Sequence, residues 1–95
     1  MIEILAFNLL EGADEEEFVL ADKRVQTEFA YQQPGLVRRT TARGRDGSWL
    51  VIDLWGSDAD ADQASEHWGR DAVTEAFTRL VDVASLTSER FETLD

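Results

Sequence analysis

Five residues have types and positions that could do chemistry: Asn8, Asp53, Trp55, His67 and Trp68. His67 is the single histidine, and its side chain alone has an ordinary pKa near neutrality, so it is the default proton acceptor. Asp53 lies in the run Ser48 to Ser57, S-W-L-V-I-D-L-W-G-S, and becomes a second acceptor if a dry environment raises its pKa. Asn8, Trp55 and Trp68 could furnish hydrogen bonds and aromatic walls for a small apolar pocket with a few polar groups. Each residue also has a plainer role open to it. Asn8 could satisfy backbone groups at a strand end, both tryptophans could be core, and His67 could sit on a helix surface. Asp53 could pair with an arginine of a neighbouring strand, because a buried carboxylate needs a partner.

Composition narrows the chemistry. There is no cysteine, which excludes a thiol nucleophile, a disulfide framework and a thiolate metal site. One histidine cannot make a His-rich metal site within one chain. A formal charge of -11 over 95 residues argues against nucleic acid and anionic membrane surfaces, which need a basic face. Four of the basic residues, Arg38, Arg39, Arg43 and Arg45, nevertheless crowd together. They could bind a carboxylate- or enolate-bearing substrate. Alternatively, they pair with acidic residues or guard an exposed strand.

The elements that must position these residues follow from periodicity. Ile2 to Leu10 alternates as a strand, with Ile2, Ile4, Ala6, Asn8 and Leu10 on one face and Glu3, Leu5, Phe7 and Leu9 on the other. Asp14 followed by Glu17 is a capping pattern for a helix that the spacing extends to about Gln33, with Phe18, Ala21, Val25 and Phe29 in one stripe. Pro34-Gly35 ends it. Leu36 to Arg43 reads as a second strand, Gly44-Arg45-Asp46-Gly47 as a hairpin turn, and Ser48 to Ser57 as the third strand. Ser57 or Asp58 caps a helix to about Trp68, and Asp71 caps a second piece carrying Val73, Ala76, Phe77, Leu80 and Ala84. Ser85 to Leu94 closes the chain as a strand.

The order β-α-β-β-α-β in a single domain over 1–95 is the ferredoxin-like α+β arrangement, a four-stranded antiparallel sheet with its helices on one face. Both faces of the first and third strands are apolar, so the uncovered face needs a partner. Exposing several Leu, Ile and Phe side chains forgoes burial at roughly 25 cal/mol per Å². A two-fold homodimer through the sheet faces is the expected solution. The face with Asp53 and Trp55 is assigned to the helices and cavity, and the face with Leu50, Ile52 and Leu54 to the partner. The opening M-I-E-I-L-A-F-N-L-L has no basic segment and is unlike a signal peptide, so the cytoplasm is the expected address.

The third strand running into the second helix resembles the dimeric α+β barrel proteins of the antibiotic biosynthesis monooxygenase superfamily. Its members often read acidic-x-Trp-x-Ser at the strand end, then Ala and an aromatic residue or His four positions on. Asp53, Trp55, Ser57, Ala64 and Trp68 fit that pattern, with a longer gap from Trp55 to Ala64. The resemblance implies oxidation of a small aromatic metabolite, phenolic or polyketide-like, with neither metal nor flavin. The substrate itself would pass an electron to dioxygen in a pocket built from Asn8, Trp55 and Trp68, with His67 and Asp53 as proton acceptors. The haem-degrading branch of the superfamily is not favoured: Asn8 and Trp68 resemble its residues, but its iron-ligating histidine would fall near Thr78. The rival from another class is a noncatalytic small-molecule-binding or interaction protein using the same cavity.

Overall fold

A computed structural model describes residues 1–95. Strand β1 (Ile2–Leu9) leads through a short turn to helix α1 (Glu15–Glu28) and a 3₁₀ turn (Ala30–Gln32). Strands β2 (Leu36–Arg43) and β3 (Trp49–Trp55) form the hairpin, followed by helices α2 (Asp58–Trp68) and α3 (Ala72–Thr78) and strand β4 (Val81–Phe91). The sheet order is β2-β3-β1-β4 and every pairing is antiparallel, which is the expected ferredoxin-like arrangement.

Local chemistry sets the helix starts. The Asp14 carboxylate accepts from the Glu16 backbone N–H, Ser57 Oγ from Asp60 N–H, and the Asp71 carboxylate from Val73 N–H. Three glutamates in the first turn of α1 complement its dipole. Gly35 has a φ of 85°, and a side chain there would meet Asp60, so β2 can begin directly beneath the start of α2.

Two boundaries differ from the periodicity. Helix α1 ends at Glu28 rather than near Gln33. The following 3₁₀ turn, a common finish for a helix, buries Phe29 and Ala30 together and brings the Tyr31 hydroxyl to accept from the Arg39 backbone N–H at 2.8 Å. The last strand begins at Val81, four residues before Ser85, and ends at Phe91. Ala84 therefore belongs to β4 and not to a helix. Leu80 and Ala84 fit a helical period, but β-branched Val81 and Val83 are well suited to the sheet edge, where Val81 pairs with Leu9.

Alternation in β3 sorts as expected. Trp49, Val51, Asp53 and Trp55 are buried beneath the helices, whereas Leu50, Ile52 and Leu54 lie on the uncovered face with Ile2, Ile4 and Ala6 of β1. Phe7, Phe18, Val25, Trp49, Val51, Phe77 and Val81 form the main core, tied by edge-on ring contacts of Phe7 with Phe18 and Phe77. Trp55, Ala61 and Ala64 form a second cluster under α2.

Candidate functional site

Between these clusters lies a cavity of about 450 Å³, bounded by the sheet, α2 and the end of α1. Helix α2 turns the small residues Ala61, Ala64 and Ser65 toward it and ends on Trp68, which with Val51, Phe29 and Phe77 supplies much of the rest of the wall. Val83 and Leu86 of β4 line its edge and are exposed. The volume suits a small ligand, and the lining is mostly apolar with a few polar groups, as ligand pockets generally are.

The charged groups of the lining, Glu3, Arg39 and Asp53, belong to one row across the sheet. Arg39 of β2 stands opposite Asp53 of β3, Asp53 opposite Glu3 of β1, and Glu3 opposite Arg90 of β4. All point to the helix side, and Glu3, Arg39 and Asp53 are 8%, 4% and 7% exposed. The charges therefore read plus, minus, minus, plus. Arg39 Nη2 bonds the Asp22 carboxylate at 2.7 Å and its Nη1 bonds Gln26 Oε1 at 3.2 Å. Its Nε is 3.9 Å from Asp53 Oδ1, close enough for attraction but too far for a hydrogen bond. At the other end, Arg90 Nε bonds Glu3 Oε2 at 3.0 Å, and its other nitrogens reach Asp58 and Asp62 of α2 at 3.3 and 2.9 Å.

Two buried polar atoms of the cavity wall have no hydrogen-bond partner: Asp53 Oδ1 and Trp55 Nε1. Orphans of this kind are costly and uncommon, of order 1–3 kcal/mol each. Here an acceptor and a donor, occluded and two residues apart on one strand face, belong to two residues that line the same cavity. Burial pushes the Asp53 pKa up to about 6; Arg39 opposes the rise, and the charges of Glu3 and Asp22 add to it. Asp53 is therefore a base of near-neutral strength facing an apolar space.

Trp68 is held rather than free. Its Nε1 donates to Thr78 Oγ1 at 3.0 Å, its carbonyl accepts from Thr74 Oγ1, and its ring lies edge-on to Phe29 and Phe77 at 5.4 and 5.5 Å. It is a fixed cavity wall.

The structure thus brings Asp53, Trp55 and Trp68 together at the cavity but not Asn8 or His67. Asn8 is exposed on the uncovered side of β1, at a bulge, where its backbone N–H donates to Ser85 Oγ. Its alternation partners are Ile2, Ile4 and Ala6, so the pleat turns it away from the helices. His67 is exposed on α2, its Nδ1 3.2 Å from Gln33 Oε1. It is one position from Trp68, and about 100° of helical rotation carries it off the cavity. The arginine cluster divides as well: Arg39 and Arg43 pair with acidic side chains of α1, the latter with Glu15 at 3.0 Å.

Comparison with known proteins adds the fold. No family model matches the chain, and no curated protein does either. Among solved structures, SnoaB, a cofactor-independent oxygenase from Streptomyces nogalater, superposes with a TM-score of 0.76 at 23% identity, over 98% of this chain and 94% of SnoaB. A candidate antibiotic biosynthesis monooxygenase from Caulobacter crescentus gives 0.78 at 14%, over 99% and 90% of the two chains. This is the fold of the antibiotic biosynthesis monooxygenase-like dimeric α+β barrels. Rv0793 from Mycobacterium tuberculosis shares it, with a TM-score of 0.71 at 13% identity over 99% and 94%. No helix of this chain is long and apolar enough to cross a membrane.

Glu3 and Arg90 are not singled out by any motif, and Arg39 stands out only as one of the crowded arginines. The available signal was a charged residue at an inward strand position: Glu3 shares its face with Leu5 and Phe7.

Proposed function

We propose that the cavity binds a small aromatic metabolite, phenolic or polyketide-like, and oxidises it with dioxygen without metal or flavin. The observation that supports this most is the pair of unpartnered atoms, Asp53 Oδ1 and Trp55 Nε1, in an otherwise apolar and aromatic space. On this reading a ligand hydroxyl that reaches them donates to the Asp53 carboxylate and accepts from the Trp55 indole N–H. Asp53, at a pKa of about 6, takes the hydroxyl proton, and Trp55 holds the oxyanion with a charge-assisted hydrogen bond. Trp68 positions the ring.

The electron-rich anion gives one electron to dioxygen, the resulting radical and superoxide join at a ring carbon, and a peroxide forms. Protonated Asp53 gives its proton to the peroxide, and the remaining hydrogen on that carbon leaves as a proton while the O–O bond breaks and hydroxide departs. A ring carbon that carried two hydrogens in the keto tautomer becomes a carbonyl, and one water leaves for each dioxygen consumed. Asn8 and His67, being outside the cavity, have no part in this scheme.

The reading includes a homodimer. Ile2, Ile4, Ala6, Leu50, Ile52 and Leu54 form an apolar surface on the uncovered sheet face, with Phe91 of β4 alongside. A second copy applied about a two-fold axis buries this surface on both partners at once.

Oxygen uptake with 1,8-dihydroxyanthrone, above its rate of spontaneous oxidation, tests the reaction. Binding of this probe without uptake selects the noncatalytic small-molecule-binding reading instead.

A further inference from the structure

Glu3 is a buried carboxylate that the scheme above does not use. It lies directly across the β1–β3 ladder from Asp53, both side chains line the same cavity, and each has an arginine on its outer side. The two arginines are not equivalent. Arg90 makes a true hydrogen bond to Glu3, whereas Arg39 commits its Nη groups to Asp22 and Gln26 and only approaches Asp53. Glu3 is therefore the member whose charge is directly neutralised, and Asp53 is the member left with an oxygen that has no hydrogen-bond partner.

We propose that Glu3 and Asp53 act as one proton-holding pair, in which Glu3 stays charged against Arg90 and Asp53 exchanges the proton with the bound ligand. In a dry site the charge on one carboxylate disfavours charging its neighbour, so the carboxylate held by Arg90 favours the proton on Asp53. With both ionised, the row Arg39, Asp53, Glu3, Arg90 sums to zero. When Asp53 takes a proton from the ligand, the row gains one positive charge at the moment the ligand becomes an anion. The proton transfer thus creates the counter-charge that holds its own product in place.

Other charged groups modulate the pair. Asp22 of α1 faces it through Arg39, Asp58 and Asp62 of α2 face it through Arg90, and the Met1 amino group bonds the Trp55 carbonyl at 2.9 Å near the strand end. Asp58 and Asp62 are largely exposed, so water and salt screen them more than they screen Glu3. The role in ligand deprotonation rests on the function proposed above; the pairing itself does not.

The test is the pH dependence of the carboxyl carbon-13 signals of Asp53 and Glu3 in the unliganded protein. In the unsubstituted chain, the Asp53 signal should titrate near 6, and the Glu3 signal should show at that pH only the smaller displacement caused by its neighbour's charge. In Glu3→Gln, the Asp53 midpoint should fall by the part of the rise that Glu3 supplies, staying above the ordinary aspartate range because burial is the larger cause, and the acid limb of 1,8-dihydroxyanthrone oxidation should fall with it. An Asp53 midpoint unchanged in Glu3→Gln overturns the proposal. So does a Glu3 signal in the unsubstituted chain that is flat through the Asp53 titration, a readout that needs no variant to fold. Coupled titration without any probe oxidation supports the pair and overturns the aromatic-substrate reading instead.

Discussion

Asp53 and Glu3 face each other across the β1–β3 ladder, two buried carboxylates side by side on the floor of an apolar cavity. Like charges at directly opposed strand positions are ordinarily destabilising. They are tolerated because Arg39 and Arg90 flank them on the outer strands. The arrangement gives up some stability and leaves a buried carboxylate oxygen without a hydrogen-bond partner.

That cost is measurable. Asp53 binds its proton more tightly in the folded chain, at about 6 against an ordinary 3.8, so the folded state carries more protons between those values. Stability is therefore favoured at low pH and lost as pH rises from 3.8 through about 6, by up to about 3 kcal/mol. Asp53→Asn removes the charge. It should be more stable than the unsubstituted protein at pH 7.5, by on the order of 1–3 kcal/mol, and show little of that gain at pH 4. Urea unfolding at the two pH values checks this.

Arg39 is the opposite case. Its guanidinium is buried between Asp22 and Asp53, 6.0 Å from the centre of the Phe77 ring. Arg39→Ala leaves two carboxylates without their cation and should cost about 3–5 kcal/mol at pH 7.5. Part of that loss should be recovered at pH 5, where Asp53 is protonated. A loss equally large at both pH values would mean that packing, not charge, is what the arginine supplies.

The two cavity tryptophans should separate. Trp68 donates to Thr78, so Trp68→Phe loses a hydrogen bond and should be destabilised by about 1 kcal/mol. Trp55 Nε1 has no partner, so Trp55→Phe should cost less than Trp68→Phe while weakening probe binding more. Thermal unfolding and probe titration on both variants give the comparison.

The uncovered sheet face should hold a second copy. Sedimentation at micromolar concentration should give a dimer, and Ile52→Glu together with Leu54→Glu should give a folded monomer by placing charge in the apolar contact. A monomeric unsubstituted protein would remove the dimer from the account.

Much of this structure was legible in the sequence, for identifiable reasons. The alternation of β3 sorted Asp53 and Trp55 from Leu50, Ile52 and Leu54, because a strand with a period of two cannot place neighbours on one face. Asp14, Ser57 and Asp71 marked the helix starts through side-chain caps that depend only on local chain geometry. The start of β4 was not legible, since Leu80 and Ala84 satisfy a helical period and only pairing with β1 decides for strand. The site was half legible. The Asp53–Trp55 face emerged from the strand pattern and Trp68 from the helix and the resemblance, but Asn8 was favoured by the resemblance and His67 by residue type, and pleat and helical rotation carry both away from the cavity. The row Arg39, Asp53, Glu3, Arg90 needed the strand order and register, which no local pattern encodes.

The most direct test is oxygen uptake and product formation with 1,8-dihydroxyanthrone at pH 8, in chelator-treated, flavin-free buffer, for the unsubstituted protein and for Asp53→Asn. One dioxygen consumed per quinone formed is expected, at a rate well above the protein-free control and lower by about 10²–10⁴-fold in Asp53→Asn. Uptake no faster than the control, or equal rates for the two proteins, would contradict the assignment of Asp53 as the base of an oxygenase.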